Sequence, residues 1–223
     1  MANSREKGQP RARKTGRITS RVAKEGPVVA VVGLGLIGGS LAMALKSRWP
    51  RMNLIGVDVK GRLDQPRSAG LFSALFETRR IKEAVKDADY VFLCAPQPAN
   101  LDLLLQLRSM LRSGCILSDV SALKREICQV GRKLYADAQG PWFIGGHPLS
   151  GRELSGFGAA SPELFRGRAW AICEASKVPA ARFSEFKDVM ESTGAVLCEV
   201  DARVHDDAMV TVSHLPQLVS TAL

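Results

Sequence analysis

The chain has 223 residues, 46% of them apolar, enough to bury a sizeable core in one domain or one and a half. No run approaches the roughly eighteen apolar residues of a membrane span, and the N-terminus lacks the apolar middle of a secretory signal, so the sequence predicts a cytoplasmic protein with no membrane partner. The net charge of +9 is concentrated at one end, where the first 26 residues carry eight basic side chains against Glu6 and Glu25.

Residues 1–26 hold Gly, Pro, Ser and Thr with almost nothing apolar, so they cannot offset their ordering entropy and are expected to form a disordered basic tail. An organelle transit peptide or a nucleic-acid arm would have a similar composition. The body of the chain carries no nucleic-acid-binding motif, so no such partner is expected. Cys94, Cys115, Cys128, Cys173 and Cys198 sit mostly among apolar neighbours without C-x-x-C spacing. They predict buried thiols in a reducing compartment, neither disulfides nor a metal site.

From Gly26 onward, short β-rich runs alternate with helical ones, the pattern of a parallel sheet with crossover helices. Strands are expected at 28–32, 53–57 and 90–94, with helices at 38–47 and 81–86. Pro96 stops the third strand, since proline cannot continue a ladder. A helix at 101–111, a strand at 115–118, a helix to about residue 137 and a strand at 142–144 follow. Strands at 169–173 and 196–200 flank a helix at 180–192. Residues 27–200 therefore read as a doubly wound, mainly parallel Rossmann-type α/β domain.

Segment 201–223 places Val204, Ala208, Val212, Leu215, Val219 and Ala222 at spacings of three and four, an amphipathic helical period that Pro216 should kink. The apolar text reaches Leu223 without a capping glycine or a polar exit. It reads as the first helix of an α-helical domain that is cut short.

Gly33, Gly35 and Gly38 form G-x-G-x-x-G after a strand and before a helix, with Leu36 and Ile37 between the last two glycines. Gly33 allows the tight turn, Gly35 lets a pyrophosphate approach the backbone, and Gly38 permits close helix packing. The free amides of the helix N-terminus attract the negative charge. Asp58, twenty residues beyond Gly38, suits a carboxylate that accepts hydrogen bonds from an adenosine ribose. Its charge repels a 2′-phosphate and favours NAD, although Lys60 and Arg62 can compensate and leave NADP open. Ala95 and Pro96 end the next strand, where this topology borders the cofactor.

Together with Asp58, the segments ADYVFLCAP, DVSALK (119–124), GGHPLSGRELSG (145–156) and HDDAMVTVSHLPQLVSTAL (205–223) resemble the prephenate and arogenate dehydrogenase family of tyrosine biosynthesis. The resemblance covers residues 27–223. It implies oxidative decarboxylation of prephenate to 4-hydroxyphenylpyruvate, or of arogenate to tyrosine, with hydride transfer to NAD. As hydride leaves, the ring hydroxyl becomes far more acidic, and a neutral imidazole with a pKa near 6.5 suits its proton. The resemblance assigns that base to His147, in a loop where Gly145, Gly146 and Gly151 let backbone approach a ligand. Ser150 and Glu153 resemble substrate-binding positions, as does His214 on the final helix.

The match has departures. The family pattern D-V-G-S-V-K stands here as Asp119, Val120, Ser121, Ala122, Leu123 and Lys124, so Ala122 replaces a serine expected at the substrate hydroxyl and Ser121 becomes the catalytic candidate. Gln217 replaces a histidine. The resemblance also implies a following helical domain that forms a homodimer and supplies an arginine for the substrate carboxylate. Ala122 and the missing helices motivate an alternative, a catalytically compromised or fragmentary NAD-binding regulatory or partner protein. A hydroxyacid or imine-reducing Rossmann dehydrogenase would explain the glycines but not the H-P loop.

Overall fold

A computed structural model describes residues 26–215 and residue 220. The run VVAVV forms β1 (Val28–Val32), buried on both faces as suits a β-branched strand covered from each side. It is followed by α1 (Leu36–Arg48), β2 (Asn53–Asp58), α2 (Asp64–Ser68), β3 (Ala74–Glu77) and α3 (Ile81–Val85). Next come β4 (Tyr90–Leu93), α4 (Gln97–Leu107), β5 (Ile116–Asp119), α5 (Arg125–Leu134) and β6 (Trp142–Pro148). β7 (Ala169–Glu174), α6 (Ala180–Glu191), β8 (Val196–Glu199) and α7 (Ala202–Met209) follow, and α7 runs on as a π-helical turn, Val210–His214.

The strands form one eight-stranded sheet in the order β3-β2-β1-β4-β5-β6-β7-β8. β1 to β6 pair in parallel, β7 runs antiparallel to β6, and β8 is parallel to β7. This is the doubly wound, mainly parallel α/β fold expected. Alternation along β1 sends Val29 and Val31 into a core layer with Leu41 and Leu45 of α1 and Phe186 of α6. Ala30 and Val32 enter the opposite layer with Val85 of α3, Leu104 of α4 and Ile127 of α5. Because β1 lies between β2 and β4, the crevice at its carboxyl end is the switch point where such sheets bind ligands.

The structure departs from the sequence reading at several places. β3 was not expected, because ALFE is too short and too evenly half-buried to show a period. α4 begins at Gln97, four residues before its apolar period, with a proline in its first turn, and ends at Leu107, short of residue 111.

β6 runs four residues past Ile144, so His147 is a strand residue and not part of a loop. The cause is β7, which pairs His147 with Ala171 and Pro148 with Trp170 after a register shift at Gly145/Gly146. Gly145 and Gly146 serve packing and not ligand approach. A Cβ on Gly145 would strike Cys128 Sγ, and one on Gly146 would lie 2.8 Å from the Asp119 carbonyl oxygen.

The helix expected after residue 200 forms as α7, whose buried positions are Ala202, His205, Asp206 and Met209, while the stripe residues Val204, Val212 and Leu215 are exposed. Polar partners, His147 on β6 and the amides at the start of α5, choose the face turned inward. Tail residues 1–25, the kink at Pro216, Gln217 and the later stripe positions lie outside the described residues.

Candidate active site

At the end of β1 the backbone turns sharply at Gly33, whose φ of +94° favours glycine and where a Cβ would lie 2.6 Å from the Cys94 carbonyl carbon. A Cβ on Gly38 would collide with the Gly33 carbonyl oxygen. Gly35 differs, because a Cβ there would meet nothing within 4 Å. It faces open space at the N-cap of α1, where no side chain caps the helix and no acid occupies the first turn. The first amides of α1, including those of Leu36 and Ile37, lack intrahelical acceptors and face the same end. This open, amide-lined cradle fits a pyrophosphate.

Asp58 ends β2 and is buried, with Oδ2 accepting from the Leu34 amide at 2.7 Å and Oδ1 from the Val59 amide at 2.7 Å. The carboxylate thus holds the glycine turn as well as bordering the groove. A cavity of about 440 Å³ is lined by Gly33, Gly35, Asp58, Arg62, Ala95 and Pro96, among others. Of the predicted cofactor residues, Gly33, Gly35, Asp58, Ala95 and Pro96 line it, whereas Leu36, Ile37 and Gly38 do not and lie in the first turn of α1 beside it. A neighbouring cavity of about 570 Å³ lies between Gly35, Arg62 and the Ser155–Phe157 segment.

The sequence reading gave no task to the buried pair at the end of β5. Asp119 and Lys124 are wholly buried, and Lys124 Nζ donates to Asp119 Oδ2 and to the Gly146 carbonyl, each at 2.6 Å. Asp119 also accepts from the amides of Ser121 at 2.9 Å and Gly146 at 3.2 Å. Both backbone hydrogen-bonding groups of Gly146, the residue before His147, are therefore locked to one ion pair. Their spacing in DVSALK was a usable signal, since Lys and Asp are rarely fully buried unless paired.

His147 is half-buried, and its Nδ1 lies 2.9 Å from Nε2 of His205 on α7. Nδ1 of His205 lies 2.8 Å from Asp206 Oδ1. Asp206 also accepts from the amides of Lys124 and Arg125 at 2.8 and 2.9 Å, capping α5. Burial pushes the Asp206 carboxyl up, but hydrogen bonds from the Arg125 amide, His205 and the Lys124 amide outweigh it and hold the group below the usual aspartate range. It stays ionised at neutral pH.

The other predicted site residues are more dispersed. Ser121 is buried and its Oγ accepts from Asn100 Nδ2 at 3.0 Å, so its hydroxyl oxygen turns toward α4. Ala122 is exposed. Ser150 is half-buried, with a buried Oγ that has no partner among the described residues, and Glu153 is exposed on the same segment. His214 closes the π-helical turn, and its side chain lies outside what the structure describes. Two further residues escaped the sequence reading, His205 and Asp206. They stood in a quoted motif, but nothing in their spacing from His147 marks them as neighbours.

A family model described as the nucleotide-binding domain of prephenate dehydrogenase matches residues 41–199. A prephenate dehydrogenase of Lactococcus lactis is 28% identical over 196 residues, covering 87% of this chain and 52% of that protein. The chain spans about half the length of most of the curated relatives it matches. Among solved structures, the prephenate dehydrogenase from A. aeolicus in complex with hydroxyphenyl propionate and NAD+ superimposes with a TM-score of 0.79 at 25% identity, covering 88% of this chain and 67% of that one. The Synechocystis arogenate dehydrogenase gives 0.76 at 29% identity, covering 87% and 67%.

Proposed function

The chain belongs to the prephenate dehydrogenase family, and on that premise we propose that it carries the NAD-binding and proton-accepting parts of an enzyme that oxidatively decarboxylates prephenate or arogenate. The observation that carries this reading is the placement of His147 at the carboxyl end of β6, beside an ion pair that locks the backbone of the preceding residue Gly146, at the sheet edge that also bears the glycine cradle.

Bound NAD supplies the hydride acceptor. The protein's own groups do the rest. Gly33, Gly35 and the α1 amides hold the pyrophosphate, and Asp58 accepts from the adenosine ribose. Ala95 and Pro96 form a wall of the groove. His147 takes the proton of the ring hydroxyl as the adjacent C–H bond gives up its electron pair, so a carbonyl forms at that carbon. The carboxylate on the opposite ring carbon leaves as carbon dioxide, and its bonding electrons complete the aromatic ring. Ser121 is proposed as the catalytic hydroxyl beside the base, and Ser150, Glu153 and His214 are proposed to help position the substrate.

Residues 27–200 serve as the nucleotide-binding domain, and 201–223 as the entry to a helical domain that dimerises and supplies a cation for the substrate carboxylate. Among the described residues no helix is long and apolar enough to cross a membrane. Of the cysteines expected to be buried, Cys115, Cys128 and Cys173 are, whereas Cys94 is half-buried and Cys198 is exposed; the compartment proposed is a reducing cytoplasm.

Following NADH and NADPH formation with prephenate and with arogenate tests the reading. Turnover with one of the four pairings is expected. Absence of any reduction, even with a family helical domain added in trans, would refute it, and NAD binding without turnover would favour the non-catalytic partner protein that Ala122 suggested.

A further inference from the structure

His205 and Asp206 have no task in that reading, yet both are buried, His205 reaches the proposed base and Asp206 reaches His205. Three contacts bear on where the protons lie. Asp206 accepts from two backbone amides, which can only donate, and Oδ1 also meets His205 Nδ1. A carboxylate held in this way offers lone pairs only, so His205 Nδ1 carries a proton. A neutral imidazole then has its lone pair on Nε2, and that atom lies 2.9 Å from His147 Nδ1. The short contact needs one proton, and His147 supplies it.

The rings meet edge to face, with centroids 5.1 Å apart and planes at 75°, an arrangement in which His147 is held by an edge and not stacked. Lys124, which donates to the carbonyl of Gly146 just before His147, is also engaged by Asp119. Asp207 lies on the exposed side of α7 and pairs with Arg125.

We propose that His205 is the positioning residue of this site: backed by Asp206, it holds His147 as the Nδ1–H tautomer and leaves Nε2 of His147 as the nitrogen that accepts a proton from the substrate. The last clause rests on the dehydrogenase reading, whereas the tautomer assignment does not. On proton transfer, the O–H bond of the substrate breaks and an N–H bond forms at Nε2 of His147. No other bond changes at the three residues. The imidazolium so formed is joined through His205 to the Asp206 carboxylate, which offsets its charge. The same carboxylate caps α5, so α7 must dock for the base to be set.

Two-bond 1H–15N correlation spectra of the full chain labelled with [15N]histidine read the tautomers directly. The chain has three histidines, and His214→Gln together with His205→Gln identifies the signals. The expected result is His147 protonated at Nδ1 and bare at Nε2. His205→Phe is expected to release His147 to the Nε2–H form, whereas His205→Gln, whose amide accepts from one side and donates to the other, should retain Nδ1–H. Finding Nε2–H at His147 in the unaltered chain overturns the proposal, and so does Nδ1–H persisting in His205→Phe.

With substrate, His205→Phe should lower kcat about tenfold or more while KM and NAD affinity stay within about twofold, and His205→Gln should recover most of the loss. An equal loss in His205→Gln would reduce the role to packing and overturn the proposal. If neither substrate is turned over but the tautomers are as stated, the dehydrogenase reading fails and the positioning role stands.

Discussion

The amide of Leu34 donates a 2.7 Å hydrogen bond to Oδ2 of Asp58, tying the glycine turn after β1 to the last residue of β2. The carboxylate therefore shapes the cradle before any ribose reaches it. Asp58→Ala strips acceptors from the Leu34 and Val59 amides, at about 1–3 kcal/mol for each group left buried and unpaired. Lower thermal stability and a tenfold or greater loss of NAD affinity, on the order of 1.4 kcal/mol or more, are expected in calorimetry. Loss of affinity at unchanged stability would confine Asp58 to ribose binding.

Gly35 and Gly38 separate cradle from scaffold. Gly35→Ala places a methyl group in open space at an ordinary backbone conformation, so the unfolding midpoint should not move while NAD binding falls sharply. Gly38→Ala collides with the Gly33 carbonyl and should cost both. Full NAD affinity in Gly35→Ala would mean that the pyrophosphate lies elsewhere.

Lys124 and Asp119 form a wholly buried ion pair, and removing one partner leaves the other uncompensated. Lys124→Met is expected to destabilise by about 3–5 kcal/mol in urea unfolding. Adding Asp119→Asn should recover part of that loss, because the residual charge disappears. A double variant as unstable as the sum of the singles would show no coupling.

His147→Asn preserves the groove but removes the base. Turnover should fall by about 10² or more with NAD binding intact. Unchanged turnover would take His147 out of the mechanism.

Asp206 couples stability to pH. Its carboxyl lies below the ordinary range when folded, so its contribution is complete above the unfolded value of about 3.9 and is lost as pH falls through the folded value. Asp206→Asn should cost about 1–2 kcal/mol at pH 7, the scale of a lost helix cap. The deficit against the unaltered chain should shrink toward pH 3. A deficit independent of pH would assign it to shape and not to charge.

The cofactor half of the site was legible in the chain itself because it is local. A buried β-branched strand, three glycines and the start of a helix are consecutive, and their spacing encodes the turn, the cradle and the packing contact. Asp58 follows at the end of the adjacent strand, so its place was legible too. The order of strands and helices gave away the doubly wound sheet for the same reason, since each element announces itself by period and by its punctuating Gly or Pro.

What the residues next to His147 do was decided only in three dimensions. His147 looked like a loop residue because its strand character comes from pairing with β7, more than twenty positions away in sequence. Its partner His205 lies 58 residues downstream, and Asp206 reaches back 82 residues to the Lys124 amide. The apolar stripe on the last helix is exposed at Val204, Val212 and Leu215, and the face turned inward is the one that caps α5 and meets His147. Local sequence determined the glycine turn proposed to cradle a nucleotide. Long-range hydrogen bonds, which no periodicity records, decided which side chains surround the base.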